Sequence, residues 1–197
     1  RDAQATADDR SPGRSTLPPD HPAIYPLHRP SDRDLMADNK NVMTDEAADI
    51  LDATPAQVVA ALNDTEGLFK AMVRHRPAFP PSTGDATVLT RYPDGSPRTV
   101  QTSAGALGIS DVAVLDCMWG AKHCKTVLLS SRVLRSQTVD YFLSTHPDGC
   151  LLRVVSRTEL KIKLPALVLR QITRLHRQSL EIGHRALEDV LAAHAAS

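Results

Sequence analysis

The sequence has few aromatics: three Phe, three Tyr and one Trp among 197 residues, 4% of the chain. A core must therefore be built largely from aliphatic side chains. Net charge is missing too. Twenty-three Lys and Arg balance 23 Asp and Glu, which leaves no electrostatic footprint for nucleic acid or an anionic membrane surface. No apolar run approaches the roughly 20 residues that a spanning helix needs. The chain shows no secretory signal and opens on Arg1 rather than Met, so a missing N-terminal piece or a displaced start is expected. Only three cysteines occur, Cys117, Cys124 and Cys150, an odd number without metal-site spacing. They read as buried or half-buried thiols in a reducing cytosol. A cross-strand disulfide between Cys117 and Cys124, which flank a turn, is the alternative, and His123 beside Cys124 adds a faint metal reading.

What is present is a 42% hydrophobic chain, with room for one ordinary domain and a tail. Arg outnumbers Lys and Ala is abundant, a weak hint of a GC-rich bacterial genome. Residues 1–40 hold Pro12, Pro18, Pro19, Pro22, Pro26 and Pro30 among Asp, Arg and Ser, without apolar periodicity. They are expected to be a disordered extension or sequence upstream of a true start at Met36. Ile24, Tyr25 and Leu27 form a small apolar island that could dock on the domain or on a partner. The domain proper is expected over 41–197.

Val42 to Asp52 reads as a strand of modest quality, interrupted by Asp45, Glu46 and Asp49. Thr54-Pro55-Ala56-Gln57 has Thr at N-cap, Pro at N1 and Gln at N3, a capping box for a helix through Val58, Val59 and Leu62. Asp64 or Thr65 caps a second short helix with Leu68, Phe69 and Met72. His75, between Arg74 and Arg76, is placed in a loop as a solvated side chain. From Ala86 the pattern turns to strands: Thr87–Tyr92, Arg98–Ser103, Ile109–Trp119, Thr126–Ser131, Leu134–Ser144 and Cys150–Leu160. Pro93-Asp94-Gly95-Ser96, Gly120-Ala121-Lys122 and His146-Pro147-Asp148-Gly149 are the turns. Short connections predict an antiparallel meander.

The stretch Pro165–His194 is one amphipathic helix about 45 Å long. Val168, Ile172, Leu175, Ser179, Ile182, Ala186 and Val190 fall on one face. Arg170, Arg174, Arg177, Glu181, Arg185 and Glu188 form a solvated stripe nearly opposite. Only the strands can cover so long an apolar side, so the fold class predicted is α+β, a curved antiparallel sheet wrapped around this helix.

Three local matches carry a resemblance. Ile50-Leu51-Asp52-Ala53-Thr54-Pro55-Ala56-Gln57-Val58-Val59-Ala60-Ala61-Leu62-Asn63-Asp64 resembles the I-D-A-P-x-x-V-W-x-x-L-x-D opening of the START-like SRPBCC superfamily. Leu134-Arg135-Ser136-Gln137 with Asp140-Tyr141-Phe142-Leu143 is similar to the L-K-x-Q-x-G-x-Y-x-L strand of its polyketide cyclase/dehydrase and lipid-transport branch. Leu160-Lys161-Ile162-Lys163-Leu164-Pro165 resembles the segment leading into that branch's last helix. Val59 stands where the family has Trp, Phe69 and Met72 replace its W-W region, and Asp140 replaces a Gly. The resemblance spans about residues 42–192. It implies a helix-grip fold with a cavity between sheet and helix.

Small residues at the helix midspan, Ser179, Gly183 and Ala186, argue for the same cavity, because a void there loses dispersion contacts unless a ligand fills it. The alternative is that Gly183 lets a strand approach closely. Expected cavity-lining residues are Leu115, Trp119, Thr126, Leu128, Tyr141, Leu143, Val154, Leu175, His176, Ser179, Ile182, Gly183 and Ala186. Ser156 and Thr158 are further polar candidates. His176 reads as a border histidine rather than a general base, and Asp111 and Asp116 point to opposite faces. No nucleophile–base pair, phosphate-cradling glycine loop or metal motif is visible, so no cofactor and no metal are expected. The preferred reading is binding, transport or sequestration of a small hydrophobic molecule or lipid, in the cytoplasm. A cyclase/aromatase-type enzyme using the same cavity and a protein-interaction module are the alternatives. Oligomeric state is not encoded in these features.

Overall fold

The computed structural model describes residues 41–77, 82–106, 109–162 and 164–196. The expectations for residues 1–40 fall outside them. Ten elements follow in order: β1 (Val42–Leu51), α1 (Pro55–Asn63), α2 (Thr65–His75), β2 (Ser82–Arg91), β3 (Pro97–Ala106), β4 (Ile109–Met118), β5 (His123–Ser130), β6 (Leu134–His146), β7 (Gly149–Leu160) and α3 (Ala166–Ala195). The strands form one seven-stranded sheet in the order β1-β7-β6-β5-β4-β3-β2, every pairing antiparallel. Strands β2 to β7 are the predicted meander, and β1 closes onto its far edge.

Local chemistry explains the helix starts. The Thr54 hydroxyl accepts from the Gln57 N–H at 3.3 Å, and the Gln57 side chain accepts from the Thr54 N–H at 2.8 Å, a reciprocal capping box. Asp64 caps α2 by accepting from the Gly67 N–H. Pro165 stands one residue before α3 rather than inside its first turn, and its carbonyl accepts the Leu169 N–H. His75 is not in a loop. It is the last residue of α2, with Nε2 3.0 Å from Asp189 Oδ2 on α3. Tertiary pairing overrides weak strand propensity at Ser82-Thr83-Gly84-Asp85, which extends β2 five residues earlier than its composition predicts.

Shifts in register at Val114/Leu115 and at Leu134/Ser136 mark irregular pairing of the kind that bends strands. At the β6–β7 turn, Gly149 has φ 134, and a Cβ there would collide with the Leu51 carbonyl. Only glycine lets that turn sit against the end of β1. The three cysteines are buried and free. Cys117 pairs across the ladder with Thr126 and Cys124 with Tyr141, so Cys117 and Cys124 are not opposite each other.

The dry core lies at one end. Leu51, Val58, Leu62, Leu143, Leu152, Leu187 and Val190 pack there, joining α1, the end of β1, and the last third of α3. α2 lies between α3 and β2: the Arg74 and His75 side chains reach Asp189, and the Glu66 carboxylate accepts the Val88 N–H. No helix among the described residues is long and apolar enough to cross a membrane.

Candidate functional site

A cavity of about 650 Å³ separates the concave sheet face from α3. That volume falls among small-molecule sites, roughly 300–1,000 Å³. The sheet supplies alternate residues, as a pleated strand must: Val100 and Thr102 from β3, Ala113, Leu115 and Cys117 from β4, Val139 and Tyr141 from β6, Leu152, Val154 and Ser156 from β7. Leu68, Phe69 and Met72 of α2 close one side, and His176, Leu180, Gly183 and Leu187 of α3 close another. The wall exposes mostly apolar surface, and Phe69, Trp119 and Tyr141 are its aromatic members.

The expected residues divide in two. Leu115, Trp119, Thr126, Tyr141, Val154, His176, Ser179 and Gly183 all lie on the cavity wall. Leu128, Leu143, Leu175, Ile182 and Ala186 do not. Leu143 and Ala186 belong to the dry core, where Ala186 is 0% exposed. Leu175 and Ile182 precede Asp189 by two and one heptads, so they lie on the flank that carries Asp189 to α2. The inward face of α3 is thus turned toward His176, Leu180, Gly183 and Leu187, away from the stripe centred on Ile182. Leu128 stands opposite Leu115 at the β4–β5 irregularity and stops short of the wall. Gly183 has open space where a Cβ would be; no strand approaches it.

Polar groups also interrupt this wall, His176 and Arg76 among them. The first is built on His176. Its Nδ1 lies 2.6 Å from Asp45 Oδ2, and its Nε2 lies 3.2 Å from Ser156 Oγ and 3.1 Å from Thr158 Oγ1. The side chains of Asp45 and His176 are 11% and 10% exposed, and Ser156 and Thr158 are buried. A carboxylate can only accept, so His176 gives Nδ1–H to Asp45, and the neutral form of the ring offers its Nε2 lone pair to the hydroxyls. Ser156 carries that arrangement to the cavity wall. Arg177 Nε, 3.4 Å from Asp45 Oδ1, adds positive charge on the far side. The arrangement can lock β1, β7 and α3 together, and it can move a proton at Ser156 Oγ.

The second group is Arg76, the C-cap residue that follows α2. Its guanidinium lies over Gly84, where a Cβ would meet Nη2 at 2.6 Å. Its Nη1 is buried without a hydrogen-bond partner. Burial lowers the Arg76 pKa.

Sequence reading missed Asp45 and Arg76. Asp45 counted as an interruption of a strand, although an acid on the inward-facing side of β1 demands a partner. Arg76 followed a residue placed in a loop, so it drew no notice. Asp111 also reaches the wall, and its carboxylate accepts from the Ser131 hydroxyl and the Arg132 N–H. Burial raises the Tyr141 hydroxyl well above its usual range, with the Cys117 and Cys124 thiols adding to it. The Cys117 thiol is pushed up to about 11, first by burial and then by the Asp116 carboxylate. Both groups are neutral at ordinary pH.

No protein-family model matches the chain, and no curated protein matches it by sequence. Solved structures do match. A START superfamily protein from Mycobacterium smegmatis superposes with TM-score 0.56 at 21% identity, over 78% of this chain and 98% of that one. TTHA0849 from Thermus thermophilus gives 0.60 at 18% identity, over 79% and 99%. The Zhui aromatase/cyclase from Streptomyces sp. R1128 gives 0.55 at 13%, over 79% and 94%. The chain has the START-like helix-grip fold. Within that START-like fold, β1 and α3 carry the His176 group and α2 carries Arg76.

Proposed function

We propose that this START-like domain binds a small hydrophobic molecule or lipid between its sheet and α3, to transport or sequester it. The observation that carries this reading is the 650 Å³ cavity with a largely apolar wall. A close-packed interior leaves no such space, and emptying it of ligand forfeits the dispersion contacts of every wall atom. The three free, buried thiols support a reducing, cytoplasmic setting. Trp119, the sole Trp, lines the cavity and reports on occupancy. Titration with N-phenyl-1-naphthylamine should quench Trp119 emission saturably, and native mass spectrometry of protein from its own host should show a retained small molecule. A flat titration with no retained mass rejects the reading.

A second reading, an aromatase/cyclase-type enzyme, is favoured by the Asp45–His176–Ser156 arrangement at the wall. In it, the cavity orients a reactive chain and His176, held by Asp45, exchanges a proton through Ser156. Its test is release of one water as a poly-β-ketoacyl thioester closes to a ring, followed by mass. His176→Gln should abolish that release while N-phenyl-1-naphthylamine still binds. Equal water release from both proteins rejects the catalytic role.

A further inference from the structure

Zero net charge describes the chain as a whole and hides its layout along α3. From Lys161 to Leu180 the sequence holds Lys161, Lys163, Arg170, Arg174 and Arg177 and no Asp or Glu. Acids return only with Glu181, Glu188 and Asp189 in the second half of the helix. Within the first half, Leu167, Arg170 and Arg174 keep the three–four spacing of one helix stripe. Each stands nine residues, about two and a half turns, before a residue on the cavity wall: His176, Ser179 and Gly183 in turn. The stripe therefore faces away from the cavity.

Its charges are unanswered. Arg170 and Arg174 are exposed and make no ion pair among the described residues. The acids of the adjoining strands are occupied: Asp45 by His176 and Arg177, Glu46 by Arg153, Glu159 by Arg135. Two more cations mark the end of the sheet from which α3 departs. Lys161 donates from Nζ to the Ser131 carbonyl at 2.6 Å, and exposed Arg132 follows Ser131 on the β5–β6 connection. The acid there, Asp111, accepts from the Ser131 hydroxyl and the Arg132 backbone N–H. Leu167, one turn from Arg170, is 71% exposed, more than any other large apolar side chain among the described residues.

We propose that the outer face of the first half of α3 docks on an anionic lipid surface. Arg170 and Arg174 take lipid phosphates, which the guanidinium fork matches, and Leu167 enters the boundary between headgroups and acyl chains. The exposed leucine is what selects a lipid surface over another polyanion. A nucleic acid or an acidic protein answers the arginines and leaves Leu167 in water. Each basic side chain at such a surface raises affinity about fivefold, and burying Leu167 adds roughly tenfold. The proposal goes beyond cavity binding and stands or falls separately from it.

The test is co-sedimentation of the full chain with two kinds of vesicle, one of phosphatidylcholine alone and one containing about a third phosphatidylglycerol. The unmodified protein should sediment with the anionic vesicles, less so as salt rises, and stay in solution with the neutral ones. Arg174→Gln should weaken that binding about fivefold, and Leu167→Ser roughly tenfold. Lys122→Gln removes the same charge at the other end of β5 from Arg132 and should change it less than twofold. Circular dichroism and N-phenyl-1-naphthylamine binding without vesicles check that each variant keeps its fold and cavity. No binding to anionic vesicles, or equal binding to neutral ones, overturns the proposal whatever the cavity takes up. An equal loss in Lys122→Gln overturns the assignment to this face. Binding that Leu167→Ser leaves intact and duplex DNA competes away overturns the lipid surface in favour of a general polyanion site.

Discussion

Asp45 holds His176 across 131 residues of sequence, with Oδ2 2.6 Å from Nδ1. A second pair repeats the first: Asp49 Oδ2 is 3.2 Å from His184 Nε2. The spacing of the pairs is set by backbone geometry. Four residues of strand advance about 13 Å, and eight residues of helix advance about 12 Å. Two acids four apart on β1 therefore meet two histidines eight apart on α3, and the strand and helix run side by side in register.

The two pairs should differ in their effect on stability. Asp45 is nearly buried, so Asp45→Ala strands His176 Nδ1 and should cost about 1–3 kcal/mol in urea denaturation. The Asp49 side chain is 63% exposed, and Asp49→Ala should stay within about 1 kcal/mol. Equal losses would mean that the burial difference does not govern these pairs.

Gly183 and Ala186 test where the space lies. Gly183→Leu replaces a poor helix former and projects into a place with nothing within 4 Å of the new Cβ. The melting temperature should hold or rise while uptake of N-phenyl-1-naphthylamine falls. Ala186→Leu adds the larger side chain to the dry core and should cost about 1–3 kcal/mol, with probe affinity retained by the folded fraction. Reversed outcomes would place the void at Ala186.

The architecture was largely legible in the sequence, because turn residues and period-two alternation punctuate the strands and α3 is long and periodic. Thr54-Pro55-Ala56-Gln57 announced α1 outright. The rotation of α3 was less legible. Its apolar side is broad, and counting Leu175, Ile182 and Ala186 as inward together with Ser179 and Gly183 made the expected wall wider than the face the cavity meets. Pairing partners were illegible altogether: nothing local to Asp45 says that His176 awaits it, and nothing local to Arg76 says that Gly84 leaves it room. Both depend on which elements the fold brings together.

Thr54 offers a local measure of how much the capping box matters. Thr54→Ala removes the acceptor for the Gln57 N–H and the donor to its side chain. A loss of about 1 kcal/mol is expected and should appear in thermal melts. Gln57→Ala should cost less, since Thr54 still caps. No change with Thr54→Ala would mean that packing of Val58 and Leu62 holds α1 alone.

Cys117 gives a pH dependence with a definite sign. The folded thiol keeps its proton to about 11, whereas an unfolded one loses it near 9.0. Between those values the unfolded chain binds fewer protons, so stability falls as pH rises. Urea midpoints at about pH 8.5 and about pH 10.5, on either side of the unfolded value, should show that decline, and Cys117→Ala should make it shallower. Burial raises the Cys124 and Cys150 thiols as well, so some slope should remain. An identical slope in Cys117→Ala would remove this thiol from the account.

The element that roofs the cavity is made after the whole sheet. Synthesis proceeds at about 5–20 residues per second, so the 30 residues of α3 follow β7 over roughly two to six seconds. Through that interval the concave face has no lid, and the acids of β1 await the histidines that will clasp them. A molecule present beside the ribosome meets a trough that α3 has not yet covered. One arriving after release must pass between elements already docked.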